Sequence, residues 1–129
     1  RLNSARINRN VWFTDKDENQ ALSLRFTGEV FFDVQSPFQR VRILESYKYG
    51  KMLALDDMVM TTIEDEFHYH EMISHPAIFT HGNAKNILVI GGGDGGTVRE
   101  ILRHEDVQNV AEQAEPKLTQ IIKELVSKI

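Results

Sequence analysis

The sequence predicts an α/β chain in two parts: a small antiparallel β domain over residues 1–62, then the start of a parallel sheet with its helices over residues 63–129. Three observations predict it. Apolar residues alternate with polar ones along the first half, residues 87–90 are apolar at every position, and a run of glycines separates that apolar stretch from a helical pattern.

In the first half, Leu22, Leu24 and Phe26 share one period-two face, and Val30, Phe32 and Val34 another, with Thr27-Gly28 read as the turn between two strands. Ser36-Pro37 marks a loop, because proline cannot donate to a sheet ladder. After it Val41, Ile43 and Glu45 alternate with Arg40, Arg42 and Leu44. Tyr49-Gly50 and Asp56-Asp57 are turn signals around the strand 52–55, and 58–62 resumes a β-rich run.

The pattern then becomes helical. Thr61 with Glu64, and Thr62 with Asp65, have the Ser/Thr-x-x-acid spacing of a helix N-terminus, so a helix is expected from near Glu64. Pro76 is expected to interrupt it, and His81-Gly82-Asn83 to end it. The apolar run 87–90 reads as a strand covered on both faces. Gly91-Gly92-Gly93-Asp94-Gly95-Gly96 follows, then Val98, Ile101 and Leu102 on one helix face. Gly91, Gly93 and Gly96 satisfy G-x-G-x-x-G between a strand and a helix, the context in which that spacing forms a nucleoside-binding turn; a turn that only packs helix on strand is the alternative.

Composition narrows the ligand classes. The 129 residues carry 15 Lys+Arg against 19 Asp+Glu, a formal charge of -4, which lacks the positive field that nucleic-acid binding needs. There is no cysteine, hence no disulfide or thiolate metal site, and no apolar run approaches the roughly 20 residues that span a bilayer. No nucleic acid, no membrane and a cytoplasmic location are the expectations. Arg1, Arg6 and Arg9 among asparagines fit either a mobile terminus or the end of a processed leader. From Met52 to Ala84 there are six acids and no Lys or Arg, which makes either a solvated acidic face or a seat for a cation.

Asp94 decides between nucleoside classes. A carboxylate inside the turn opposes a pyrophosphate by about 4 kcal/mol for unit charges about 4 Å apart at an effective dielectric of about 20. It favours instead a nucleoside that brings a sulfonium and an amine, although an aspartate capping its own helix is the structural alternative. Five histidines raise the question of metal. His70 and His75, five apart, point about 140° away from each other on a helix, so no metal is expected.

Several segments then fit one family in order and spacing: Ser36-Pro37-Phe38-Gln39; Leu53-Ala54-Leu55-Asp56-Asp57 through Met60-Thr61-Thr62; Asp65-Glu66-Phe67-His68-Tyr69-His70-Glu71-Met72; and the glycine turn with Arg99-Glu100. From about Trp12 to Val110 the chain resembles spermidine synthase, a polyamine aminopropyltransferase. The resemblance implies a Rossmann-like, methyltransferase-type second domain and a homodimer or homotetramer. It also implies transfer of an aminopropyl group from decarboxylated S-adenosylmethionine, the co-substrate, to putrescine, giving spermidine and methylthioadenosine with no metal or redox cofactor. It assigns Gln39 to the thioadenosine nucleoside, His70 and Asp94 to the polyamine, and Tyr69 and Trp12 to its surroundings, with Gly91, Gly93 and Gly96 at the nucleoside. Aromatic faces and carboxylates suit an alkyl diammonium ion.

Two departures stand out. The family's general base lies in an Asp-Ser/Cys-Thr-Asp-Pro type loop, and no such motif occurs in these residues, so no catalytic base is assigned. Family members also continue past Val110 with an apolar strand ending in a ribose-binding acid, whereas Ala111-Glu112-Gln113-Ala114-Glu115-Pro116 reads as no strand and leaves Glu112 and Glu115 both open for that role. Leu118, Ile121, Ile122, Leu125 and Ile129 then form an amphipathic helical stripe. One strand and one helix cannot complete a sheet, so the expectation is an incomplete fold, either with residues missing near Val110-Ala111 or truncated and covered by a partner. Two further readings remain: an inactive remnant that binds nucleoside or polyamine or only dimerises, and a fragment of an NAD-dependent oxidoreductase, which Asp94 disfavours.

Overall fold

A computed structural model of the chain describes residues 11–113. The readings of Arg1, Arg6, Arg9, Glu115, Pro116 and the stripe Leu118 to Ile129 lie outside the described residues. The chain divides into two compact units, with the boundary between Asp65 and Glu66.

The first unit is one antiparallel sheet in the order β1 (Trp12–Lys16), β2 (Ala21–Gln35), β3 (Arg40–Ser46), β4 (Gly50–Leu55), β5 (Met58–Thr62). The sheet curls enough for the Asp15 carboxylate of β1 to accept the Val59 N–H of β5 at 2.9 Å. Its concave side encloses Phe13, Leu44, Met52 and Ala54, with Leu24, Phe26 and Val59 packed against them. Asp56 and Asp57 both take positive φ in the β4–β5 turn, where aspartate is among the few residues that tolerate it.

Thr27-Gly28 is not a turn. β2 runs through it as a single strand of 15 residues, with register shifts between Phe26 and Val30 and again between Val30 and Phe32. Gly28, at φ 100°, makes a bulge there, which bends a strand without reversing it. β1 itself carries no clear alternation and was not anticipated.

The second unit opens with α1 (Glu66–His81), two residues later than the Thr/acid spacing implies, because the Thr62 hydroxyl donates to Asp65 in the preceding turn. Pro76 lies inside α1 without ending it. Its fixed φ is already helical, so it removes one hydrogen bond and the chain continues. Then come β6 (Asn86–Ile90), the glycine turn, α2 (Gly96–Ile101) and β7 (Asn109–Gln113). β6 and β7 pair in parallel from Asn86 with Asn109 to Ile90 with Gln113, so this is the β-α-β unit that begins a Rossmann-like sheet.

β7 corrects the expectation that residues after Val110 form no strand. Backbone bonds carry the pairing whatever the propensity of Ala111-Glu112-Gln113: Gln108 N–H donates to Lys85 O at 2.8 Å, and Gly91 N–H to Gln113 O at 2.9 Å. Coverage of β6 on both faces is not seen among the described residues, where Val89 is buried but Leu88 and Ile90 are exposed.

Candidate functional site

The glycine turn is built by backbone geometry. Gly91, Gly92 and Gly95 all have positive φ, the region open to glycine at little steric expense. Gly95 N–H donates to Gly92 O at 2.8 Å and closes the loop ahead of α2. Gly96 is glycine for another reason: a Cβ placed on it would stand under 3.0 Å from the Cε1, Nδ1 and Nε2 atoms of the His70 ring, a clash no real side chain tolerates. The last glycine of the motif thus lets α2 approach α1, and the His70 ring fills the space.

Asp94 is held at the start of α2. Its Oδ1 accepts the Gly96 N–H at 2.9 Å in the turn before the helix, while the N-cap itself is Gly95, so Asp94 is not the helix cap weighed from sequence. Its Oδ2 lies 3.3 Å from His70 Nε2, and its side chain retains 27% exposure. His70 is only 3% exposed. The structure therefore brings together Asp94, His70 and the glycine turn, and it leaves Asp94 as the more open of the two polar side chains.

Glu66, which sequence reasoning passed over, completes the group. It sits one turn before His70 on α1, and its Oε2 accepts both from His70 Nδ1 and from Arg99 Nη2, the latter at 2.8 Å. Burial works against the Glu66 charge, but the hydrogen bonds from Arg99 and His70 outweigh it and hold its pKa below the ordinary carboxylate value. The i,i+4 spacing of Glu66 and His70 was the available signal.

One turn further along α1, His75 Nε2 lies 3.3 Å from Glu100 Oε2, and His75 Nδ1 lies 2.8 Å from His104 Nε2. Glu100 is buried, and it accepts from Arg103 Nη1 at 2.7 Å and Arg99 Nε at 2.9 Å. Those two arginines depress its pKa to about 2. Glu71, His75 and Glu100 present possible ligand atoms within 4.8 Å of one another. Both oxygens of Glu100 already face guanidinium groups, which oppose a cation there.

On β7, the Glu112 Oε1 is buried with no hydrogen-bond partner among the described residues. It lies beside the turn, 3.8 Å from where a Cβ on Gly92 would stand. Tyr69 is exposed and meets the His70 ring edge-on at 5.4 Å. Trp12 and Gln39 belong to the first unit: the Arg25 guanidinium covers the Trp12 ring at 5.6 Å, and Ser36 closes a turn by accepting the Gln39 N–H at 3.0 Å.

Comparison with known proteins completes the picture. Residues 11–63 match the family model described as the spermidine synthase tetramerisation domain, and residues 66–121 match the spermine/spermidine synthase domain. The chain belongs to the spermidine synthase family. It is 50% identical over 101 residues to a polyamine aminopropyltransferase of Methanocaldococcus jannaschii, covering 78% of this chain and 34% of that protein. A polyamine aminopropyltransferase of Thermoanaerobacter pseudethanolicus is 48% identical over 101 residues, with 78% and 36% covered. Among solved structures, spermidine synthase from Thermotoga maritima superposes with a TM-score of 0.85 at 35% identity, covering 93% of this chain and 43% of that one. A spermidine synthase in complex with the transition state analogue AdoDATO matches equally, at TM-score 0.85 and 35% identity, with 93% and 42% covered. The chain thus spans about a third of the length of the curated relatives it matches. No described helix is long and apolar enough to cross a membrane.

Proposed function

We propose that this chain supplies the nucleoside turn and the amine-binding carboxylate of a polyamine aminopropyltransferase. The enzyme moves the aminopropyl group of decarboxylated S-adenosylmethionine to putrescine, in the cytoplasm and as a homo-oligomer. The observation that carries the reading is Asp94, a part-exposed carboxylate within a glycine turn, with one oxygen held by the Gly96 N–H and the other 3.3 Å from His70 Nε2. Such a group attracts an ammonium or sulfonium and opposes a dinucleotide phosphate.

In the reaction a neutral primary amine attacks the aminopropyl carbon next to sulfur. A C–N bond forms as the C–S bond breaks. The electron pair goes to sulfur, neutralising the sulfonium and releasing methylthioadenosine, and the amine nitrogen gives a proton to a base. An alkylamine with a pKa near ~10.4 arrives mostly protonated, so its binding carboxylate and its base have separate tasks. Asp94 takes the first. No residue of this chain is assigned the second. The metal-free chemistry follows from the substrate, because the sulfonium is already an activated leaving group.

Gly91, Gly93 and Gly96 place the nucleoside, and Glu112 rather than Glu115 is our choice for the ribose hydroxyls, since its buried, unpartnered oxygen lies beside the turn. A carboxylate accepts from two neighbouring hydroxyls at once. The family resemblance also assigns Gln39 to the nucleoside and Trp12, Tyr69 and His70 to the polyamine.

Calorimetric titration tests the reading. Methylthioadenosine and spermidine should bind and NAD should not. Asp94→Asn should weaken spermidine by about 10- to 100-fold, the loss of a charge-assisted bond worth about 1.5–3 kcal/mol. Binding of NAD in place of methylthioadenosine would turn the reading to an oxidoreductase, and no binding of any of the three to a structural remnant.

A further inference from the structure

Glu66 has no role in the reading above, yet its carboxylate determines what the His70 ring presents to Asp94. Arg99 and His70 Nδ1 both point at Glu66 Oε2. An ionised carboxylate only accepts, so His70 Nδ1 carries the proton that is donated there. In the neutral ring this leaves Nε2 as a bare acceptor facing Asp94. Nε2 lies 3.3 Å from Asp94 Oδ2, within hydrogen-bond reach, so the protonation of the ring decides which way that contact runs. Gly96 keeps the ring in that place, since any side chain on it would collide with the imidazole.

Building on the amine site proposed above, we infer that Glu66 is a positioning residue that selects the His70 tautomer, so that Nε2 and Asp94 Oδ2 form a paired acceptor for one ammonium group. An ammonium has three N–H donors on one nitrogen, so a single ammonium can address both of these neighbouring acceptors. With the other tautomer, Nε2–H would donate to Asp94 and turn a donor toward the incoming cation.

Nitrogen-15 NMR of the unmodified protein reads the tautomer directly. A His70 ring protonated at Nδ1 and bare at Nε2 is expected, and a ring protonated at Nε2, whether neutral or doubly protonated, overturns the inference without need of any variant. Glu66→Gln removes the charge and allows an amide N–H to face Nδ1. It should move the proton to Nε2 and weaken spermidine about tenfold, while methylthioadenosine affinity stays within about twofold. Equal loss of both ligands would mean a merely structural residue and sink the inference. If Asp94→Asn weakens spermidine but Glu66→Gln does not, the tautomer inference fails alone. If Asp94→Asn has no effect, the amine site itself is wrong.

Discussion

At the scale of single residues, the glycine turn shows how one sequence motif contains two kinds of glycine. Gly91 and Gly95 are set by backbone conformation, whereas Gly96 is set by the ring of His70, 26 residues earlier in the chain. The G-x-G-x-x-G spacing picks out Gly91 and Gly96 but not Gly95, and cannot say which constraint acts on which. Gly96→Ala should therefore act by overpacking. We expect a loss of about 1–3 kcal/mol in unfolding free energy by denaturant titration, with spermidine affinity falling as His70 is pushed off Asp94. An unchanged unfolding curve would show that the ring has room to move. Asp94 was legible because a charge inside a phosphate-type turn is anomalous. Glu66 was not, because a glutamate four residues before a histidine is common on any helix and acquires meaning only once Arg99 and Asp94 are seen around the same ring.

At the scale of elements, α1 and α2 are joined by a polar seam as well as by close packing. Glu100 is buried between Arg99, Arg103 and His75, and the two arginines lower its pKa from 4.5 to about 2. A carboxylate whose pKa is depressed on folding contributes stability that is complete above its unfolded value and is lost as pH falls through its folded value. The melting temperature should thus decline between about pH 4.5 and pH 2, and Glu100→Gln should be less stable at neutral pH with a flatter decline across that window. An equally steep decline in the variant would remove Glu100 from the account. The elements themselves were unevenly legible. Strands β3 to β5 follow from alternation and turn chemistry, which are local. The bulge in β2 and strand β7 do not, because a bulge differs from a turn only in where the partner strand lies, and β7 exists through its pairing with β6.

At the scale of the molecule, the first unit leaves Leu22, Val30, Phe31 and Val34 of β2 exposed, more apolar surface than one strand usually offers to water. With the match to a tetramerisation domain, this supports the proposed homo-oligomer. Val30→Lys places a charge in that surface and should raise the dissociation constant about tenfold or more by sedimentation velocity; an unaltered association state would move the interface elsewhere. By itself the sequence determined the α/β order, the glycine turn with Asp94 inside it, and the family, because periodicity, glycine spacing and motif order are local properties of a chain. Only the tertiary structure decided that Gly96 makes room for His70, that Glu66 meets that ring, that β7 is a strand and that Glu112 lies at the turn. Each of those is a meeting of residues distant in sequence, fixed by backbone pairing and close packing that no local pattern encodes.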